Sequence, residues 1–575
     1  MTQQQQTLQK RWEIAPALPD TLTQTLPQYH PTLLQVLYNR GLTNEADIEA
    51  FLSGQYLKPE DPFLLSDMKT AVQRILQARD NDETIVVYGD FDADGVTATV
   101  LLIEALRALG ITRAKARPYI PDRVDEGYGL NIEALSHIYH DLNATLVITV
   151  DCGIRSIAEV QHGIDIGLDM IITDHHSLAA ELPPALAVIN PKRKDCSYPE
   201  KMLAGVGIAY KLACALHQAA ETGFDTDQLL DLVAIGTVAD VMPLVNENRK
   251  LVMSGLEVLN KLNRPGISAL AEVAGIKRGG LTSESIGFAL GPRINAAGRL
   301  DHAYAAAKLL AASNLYQARE MAEHLNNLNR ERQAVTRELH AHAELLIDDI
   351  AESHILIAAD SRFLPGVVGL VAGRLKESYY RPAVVFEVGE EESHGSCRSI
   401  PEFHMTDALD QVADLLERYG GHAQAAGLTI RNENIDEFST RMRQLTAEQL
   451  ATVDLRPTLS IDAEIPFEDI DWALHGILAR LEPTGCANVA PVFMTRELEV
   501  VHHRVVGKDM SHLQIEVGIP GRDRSIKGIG FGLGGWAGKL PPLIDLVYTL
   551  GVNEWRGRRT LQLMVQDIRE SHRPN

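Results

Sequence analysis

Cysteine is scarce and unpaired in this sequence: Cys152, Cys196, Cys214, Cys397 and Cys486 are scattered, and no two form a CxxC pair. That argues against zinc fingers and a disulfide framework and suits a reducing compartment. Long apolar runs are missing as well. No stretch of about eighteen apolar residues occurs, so no membrane span is expected. The polar opening MTQQQQTLQKRWEI lacks an apolar signal core, and the expected location is the cytoplasm. Positive charge is short too: 54 Lys and Arg against 77 Asp and Glu leave a net charge of −23. Proteins that coat duplex DNA are usually basic, so this balance weighs against that class. It leaves room for a basic groove on an acidic exterior, and a metal site built from aspartates adds negative charge itself.

What is present is ordinary globular composition, 45% hydrophobic and 23% charged, in a chain long enough for about three or four domains. From Thr84 to about Asn190, short apolar runs alternate with helical stretches. The runs are TIVVYG, LVITVDCG (Leu146 to Gly153), DMIITDHH (Asp169 to His176) and LAVINP (Leu186 to Pro191). Such alternation predicts an α/β fold with a parallel, doubly wound sheet. The segment before residue 80 reads as helical and is expected to pack on this domain, giving a first unit over 1–312. A polar helix over 313–349, containing AREMAEHLNNLNRERQ, reads as a connector between lobes. A second α/β lobe over 350–452 begins at HILIAAD and continues through GVVGLVAGRLKESY and PAVVFEV. Over 455–575 the texture of strands and turns predicts a small β-barrel. There is no internal repeat.

The stretch IVVYGDFDADGVTATVLL places Asp90, Asp92 and Asp94 on alternate positions with Gly95 after them. An EF-hand loop begins this way, but it needs a Glu at its twelfth position and an entering helix. Leu101 occupies that position, and a β-branched strand precedes Asp90. The calcium reading fails. Other predicted strands also end in acids or histidines: Asp151 after one, Asp174, His175 and His176 after another. Asp240 interrupts the apolar LVAIGTVADVMPL. In an open parallel sheet, ligands bind beyond the carboxyl ends of the strands. Carboxylates gathered there repel one another without cations, and carboxylate with imidazole suits Mn²⁺ or Mg²⁺. The ligands suffice for two ions, which in phosphoryl-transfer enzymes lie about 3.5–4 Å apart. A single Asp after a strand is more often a helix cap, and Asp174 reads equally well as a cap or as the partner orienting a histidine.

GDFDADG, VDCGI, TDHH and GTVADVMPL together resemble the DHH phosphoesterases, specifically their single-stranded-DNA exonuclease branch. The resemblance continues through PDRVDEGYGL, LAGVGIAYKL, GPRINAAGRLD, GVVGLVAGRLKE, GSCRSI, GGHAQAAGL and NEWRGRRTLQL, from about residue 30 to the end. It implies a DHH lobe, a DHH-associated lobe and an oligonucleotide-binding (OB) barrel. It further implies a two-metal enzyme that degrades single-stranded DNA from the 5′ end to mononucleotides, in repair and recombination. Carried over by position, Asp92, Asp94, Asp151, His175 and Asp240 are the ligands for Mn²⁺ or Mg²⁺, with Asp151 bridging. Asp90 is implied as a ligand or as support for one, and His176 as a contact to the scissile phosphate or as support for the metal ligands. No Ser or Cys nucleophile is required. The family's 5′-phosphate motif falls on Ser396 and Arg398, joined by Arg123; Arg293, Asn295 and Arg299 are further candidates for the strand. His422, in a glycine-rich turn, is a candidate phosphate contact, and Tyr128 a base-stacking one. The basic RGRR of the barrel reads as a strand contact or as a solvated face. A monomer working with a helicase and a single-strand-binding protein is implied. Two other readings remain: a hydrolase of short oligonucleotides or pyrophosphate, and a non-catalytic replication scaffold that binds single strands.

Overall fold

In the computed structural model, which describes residues 8–122, 126–127 and 129–571, TIVVYG becomes the fully buried strand Ile85–Gly89. Ile85 and Val87 face one apolar cluster while Val86 and Tyr88 face another, so helices cover both sides of the sheet. Five parallel strands lie in the order Ala116–Tyr119, Ile85–Gly89, Leu146–Val150, Asp169–Thr173, Ala187–Ile189. The chain order reverses beside Ile85–Gly89: the second strand lies on one side and the third on the other. This is the switch point, where the connections depart to opposite faces and open a crevice. The sequence pattern misses Ala116–Tyr119. Its four residues, ARPY, include a proline that only an edge strand tolerates.

The N-terminal segment departs from expectation. Arg11–Ile14 pairs in parallel with Thr458–Ile461, beside the barrel. The helices Pro31–Asn39 and Glu45–Ser53 put Leu33, Leu34, Leu37 and Ile48 into one cluster with Phe467, Leu481 and Phe493. Of this segment's helices, Met68–Asp80 is the one that packs on the parallel sheet. Amphipathic spacing shows which face of a helix is apolar, not which core covers it.

The buried Arg249 ties these parts together. Its guanidinium donates to the carbonyls of Phe51, Arg480, Leu481, Glu482 and Pro483 at 2.7–3.3 Å and stacks over the Phe51 ring at 4.0 Å. Burial, then the nearby Arg40, pushes its pKa down to about 10, so it remains charged at neutral pH. Arg249→Met would strip those carbonyls of donors and is expected to destabilise the protein by at least about 3 kcal/mol. Arg249→Lys should rescue little, because an ammonium cannot reproduce the planar fork. Thermal unfolding and proteolysis near residue 480 check this; two unchanged profiles would remove the clamp.

The connecting helix Leu315–Leu346 spans about 48 Å. Beyond it, Leu356–Asp360 and Ala383–Val388 run parallel, and the antiparallel strands Glu392–Arg398, Ala425–Arg431 and Leu416–His422 extend the sheet. In the C-terminal region Phe493–Val506, His512–Gly518, Ser525–Gly530, Arg558–Glu570 and Leu543–Trp555 pair in that order, and Leu543–Trp555 returns to Phe493–Val506, closing a five-stranded barrel. Among the described residues no helix is long and apolar enough to cross a membrane.

Candidate metal centre

The first strand ends at the switch point, and its three aspartates take different positions. Asp92 caps the helix Ala93–Ala108, its Oδ1 accepting the N–H groups of Asp94 at 2.8 Å and Gly95 at 3.2 Å. The capping reading is therefore correct, and it does not compete with metal binding, since one carboxylate offers two oxygens. Asp94 is fully buried and accepts the N–H groups of Gly205 at 2.7 Å and Val206 at 2.8 Å, at the start of the helix Gly205–Ala219. That positive helix end supports a carboxylate with little water around it. Asp90 is buried beside them.

Across the crevice Asp151 ends the third strand with φ at +64°, a left-handed conformation that a non-glycine residue adopts rarely and chiefly where structure enforces it. Gly205 permits this approach: a Cβ there would lie 2.5 Å from Asp151 Cβ. His175 Nε2 sits 3.0 Å from Asp151 Oδ1, 3.5 Å from Asp240 Oδ2 and 3.9 Å from Asp94 Oδ2. Asp240 terminates the helix Leu230–Ala239. His176 Nδ1 is 2.8 Å from Asp174 Oδ1 and 4.0 Å from Asp151 Oδ1. Asp174 also accepts the N–H groups of Ile154 and His176, both at 2.9 Å, so it orients His176.

Ligand atoms within 4.8 Å of one another form three groups: Asp90, Asp92 and Asp151; Asp94, His175 and Asp240; and Asp151, His175 and His176. Burial, then the neighbouring carboxylates, raises the pKa of Asp94 and of Asp151 well above the usual range. Burial and Asp92 push Asp240 up to about 7. Burial, then His176, lowers His175 to about 3, which leaves a neutral imidazole. Asp151 Oδ1 and both ring nitrogens of His175 are buried without a hydrogen-bond partner. Asp151 Oδ1 and His175 Nε2, buried 3.0 Å apart with no hydrogen bond, are a pair that a divalent ion completes, and this oxygen-rich set with imidazole fits Mn²⁺ or Mg²⁺.

The residues expected to hold the strand are arranged unevenly around this centre. Asn295 Oδ1 accepts the Ala93 N–H at 2.7 Å, so it supports the aspartate loop. Arg299 Nη1 donates to Gly366 O at 2.8 Å, joining the helix Gly291–Leu300 to the second lobe. Arg293 donates to Ala289 O at 2.8 Å and to Asn326 Oδ1 at 3.2 Å. Ser396 Oγ and Arg398 Nη1 lie 3.3 Å apart, against the start of the helix Val368–Tyr379. His422 is exposed at the end of the strand Leu416–His422, not within a turn as expected, because Gly420 and Gly421 pair as strand residues. Arg123 and Tyr128 lie outside the described residues.

Comparison with known proteins matches the DHH family N-terminal domain to residues 84–237, the DHHA1 domain to 352–448 and the RecJ OB domain to 461–567. Single-stranded-DNA-specific exonuclease RecJ of Bacillus subtilis (strain 168) is 36% identical over 564 residues, covering 97% of this chain and 70% of that protein. The chain belongs to the RecJ family. RecJ of Escherichia coli (strain K12) is 35% identical over 570 residues, 95% of this chain and 97% of that one. The crystal structure of RecJ in complex with Mn²⁺ from Thermus thermophilus is similar with a TM-score of 0.82, at 28% identity, over 98% of this chain and 80% of that one. RecJ from the same organism in complex with Mg²⁺ gives a TM-score of 0.77 at 27% identity, over 98% of this chain and 79% of that one.

Two parts of this RecJ-family site were not singled out from sequence. Asn190 donates to His176 O at 3.0 Å and accepts the Lys192 N–H at 2.9 Å, fixing the loop after the fifth strand. Lys192 is lowered by burial, against the pull of Asp174 and Asp240. Their only sequence signal is position at a strand end, which many inert residues share.

Proposed function

We propose that this chain is a metal-dependent exonuclease that degrades single-stranded DNA from its 5′ end to mononucleotides. The observation that carries the reading is the convergence of five aspartates and two histidines at the switch point, with Asp151 Oδ1 and both nitrogens of His175 buried and unsatisfied. Asp90, Asp92, Asp94, Asp151, His175 and Asp240 are the candidate ligands for two ions. Bound divalent ions would lower the pKa of a water and neutralise the phosphate under attack.

The remaining chemistry belongs to side chains. Asp174 accepts from His176 Nδ1, which fixes the tautomer and aims Nε2 outward. Burial opposes protonation of His176, but Asp174 raises its pKa, so the ring can donate to a phosphate oxygen. Ser396 and Arg398 supply a hydroxyl and a guanidinium fork for a terminal 5′ phosphate. The barrel favours a polymer over a dinucleotide: Arg559 lies over the Trp472 ring at 5.7 Å and Arg556 over Trp555 at 5.8 Å, a basic and aromatic surface of the kind that tracks single strands. The filled ligand set favours an enzyme over a scaffold. A cytoplasmic monomer acting in repair and recombination beside a helicase and a single-strand-binding protein completes the proposal.

The test is mononucleotide release from strands labelled at either end, with Mn²⁺, Mg²⁺ or chelator. Early release of the 5′ label, none with chelator, and persistence on long strands are expected. Cleavage in chelator, or only of strands a few nucleotides long, overturns the reading. Arg398→Ala should erase the preference for a 5′-phosphorylated over a 5′-hydroxyl strand, losing roughly tenfold or more in kcat/KM, as for one charged hydrogen bond.

A further inference from the structure

Two large apolar side chains beside the metal centre have no part in the chemistry above. Phe288 is 83% exposed and Val241 is 67% exposed. Val241 directly follows Asp240 and has φ at +57°, a conformation unusual for a β-branched residue. Phe288 sits in a single π-helical turn, Ile286–Leu290, and such turns concentrate at functional sites. The turn packs on the end of the helix that carries Asp240: a Cβ at Gly287 would lie 3.9 Å from Val238 Cγ1, and one at Gly291 would lie 3.3 Å from Ala239 Cβ.

The π turn runs directly into the helix Gly291–Leu300, and this continuous piece passes three landmarks in order. Phe288 comes first. Asn295 follows, bonded to the aspartate loop at 2.7 Å. Arg299 comes last, bonded to Gly366 ahead of the helix against which Ser396 and Arg398 lie. At about 1.5 Å per residue, Phe288 stands about 16 Å along the helix from Arg299. The candidate phosphate pocket is thus near one end, the metal centre near the middle, and the exposed phenyl ring at the far end.

We propose that Phe288, flanked by Val241, stacks on a base on the 3′ side of the scissile phosphate and sets the register of the strand; this rests on the nuclease reading above. A phenyl face accepts any base, so the contact positions the strand without sequence preference. It also gives a function to an aromatic ring that the fold leaves uncovered.

The experiment uses the full chain with Mn²⁺, 5′-phosphorylated oligothymidylate, and matched strands with one base-free residue at the second, third or fourth position. For the parent protein, one of these positions is expected to lower kcat/KM about five- to hundredfold, the range for one stacked base. Phe288→Ala should lose a similar factor on the intact strand and become indifferent to the missing base, and Phe288→Trp should restore the sensitivity. A Phe288→Ala protein as sensitive to the missing base as its parent overturns the stacking role. So does a loss in Phe288→Ala that Phe288→Trp shares in full, which marks a merely structural ring. An intact strand left uncut by the parent protein counts against the nuclease reading instead.

Discussion

Asp151→Asn is expected to lower strand cleavage with Mn²⁺ by roughly a thousandfold or more, on the order of 4 kcal/mol of lost transition-state stabilisation. Asp151 belongs to two of the three ligand groups, so one substitution disturbs both. Its backbone is held at positive φ, and its side chain packs closely against the backbone at Gly205, where an added Cβ would lie 2.7 Å from its Oδ1. An amide keeps the shape but supplies neither the charge nor a second oxygen. The same substitution should stabilise the metal-free protein, because it removes one charge from a buried, mutually repelling set. Activity and melting temperature would therefore move in opposite directions. Single-turnover cleavage and a melting curve in chelator check the pair. A variant that melts lower and cleaves as fast as its parent would falsify the assignment of Asp151 to the metal centre.

The second large effect is on stability against pH and metal. Asp94 and Asp151 are raised well above their unfolded values and Asp240 is raised to about 7, so the folded state binds more protons than the unfolded one as far up as those values. Stability of the metal-free protein then falls as pH rises, by at most about 1.4 kcal/mol per pH unit for each group. His175, lowered to about 3, works the other way, but only below its unfolded value near 6.5. His176, raised by Asp174 against burial, adds to the fall as pH passes through its folded value. Above about pH 6.5 His175 no longer opposes the fall, which for Asp240 continues until its proton is lost near pH 7. Metal-free melting temperature should drop as pH rises through this range, by about 2–4 °C per kcal/mol for a domain of 150–250 residues. Mn²⁺ should raise it more at pH 8 than at pH 6.5, since the ions compete with protons for the same oxygens. A Mn²⁺ increment independent of pH would mean that these carboxylates do not hold the ion.

Much of this was legible in the chain. Buried parallel strands announce themselves as short β-branched runs, and an acid at the end of such a run stands out because burial penalises charge. Asp90, Asp92, Asp94 and Asp151 stood out this way, and Asp240 as a carboxylate in an apolar run that forms a helix. The family resemblance named these with His175 as ligands, and the structure brings them together. The β-rich texture after Arg456 foretold the barrel, since alternating strands and turns are a local pattern. The edge strand Ala116–Tyr119 escaped because its four residues carry no apolar run.

Only tertiary structure decided what depends on the chain meeting itself. It packed the helices Pro31–Asn39 and Glu45–Ser53 into the barrel core while Met68–Asp80 stayed on the parallel sheet, and it gave Asn295 and Arg299 backbone partners alongside any strand contact. It also joined Arg249 to five carbonyls, most of them more than two hundred residues away in the chain. Periodicity and motif spacing record what each segment wants to bury or expose. Which partner satisfies that want is settled by packing between segments, and no local pattern of residues encodes it.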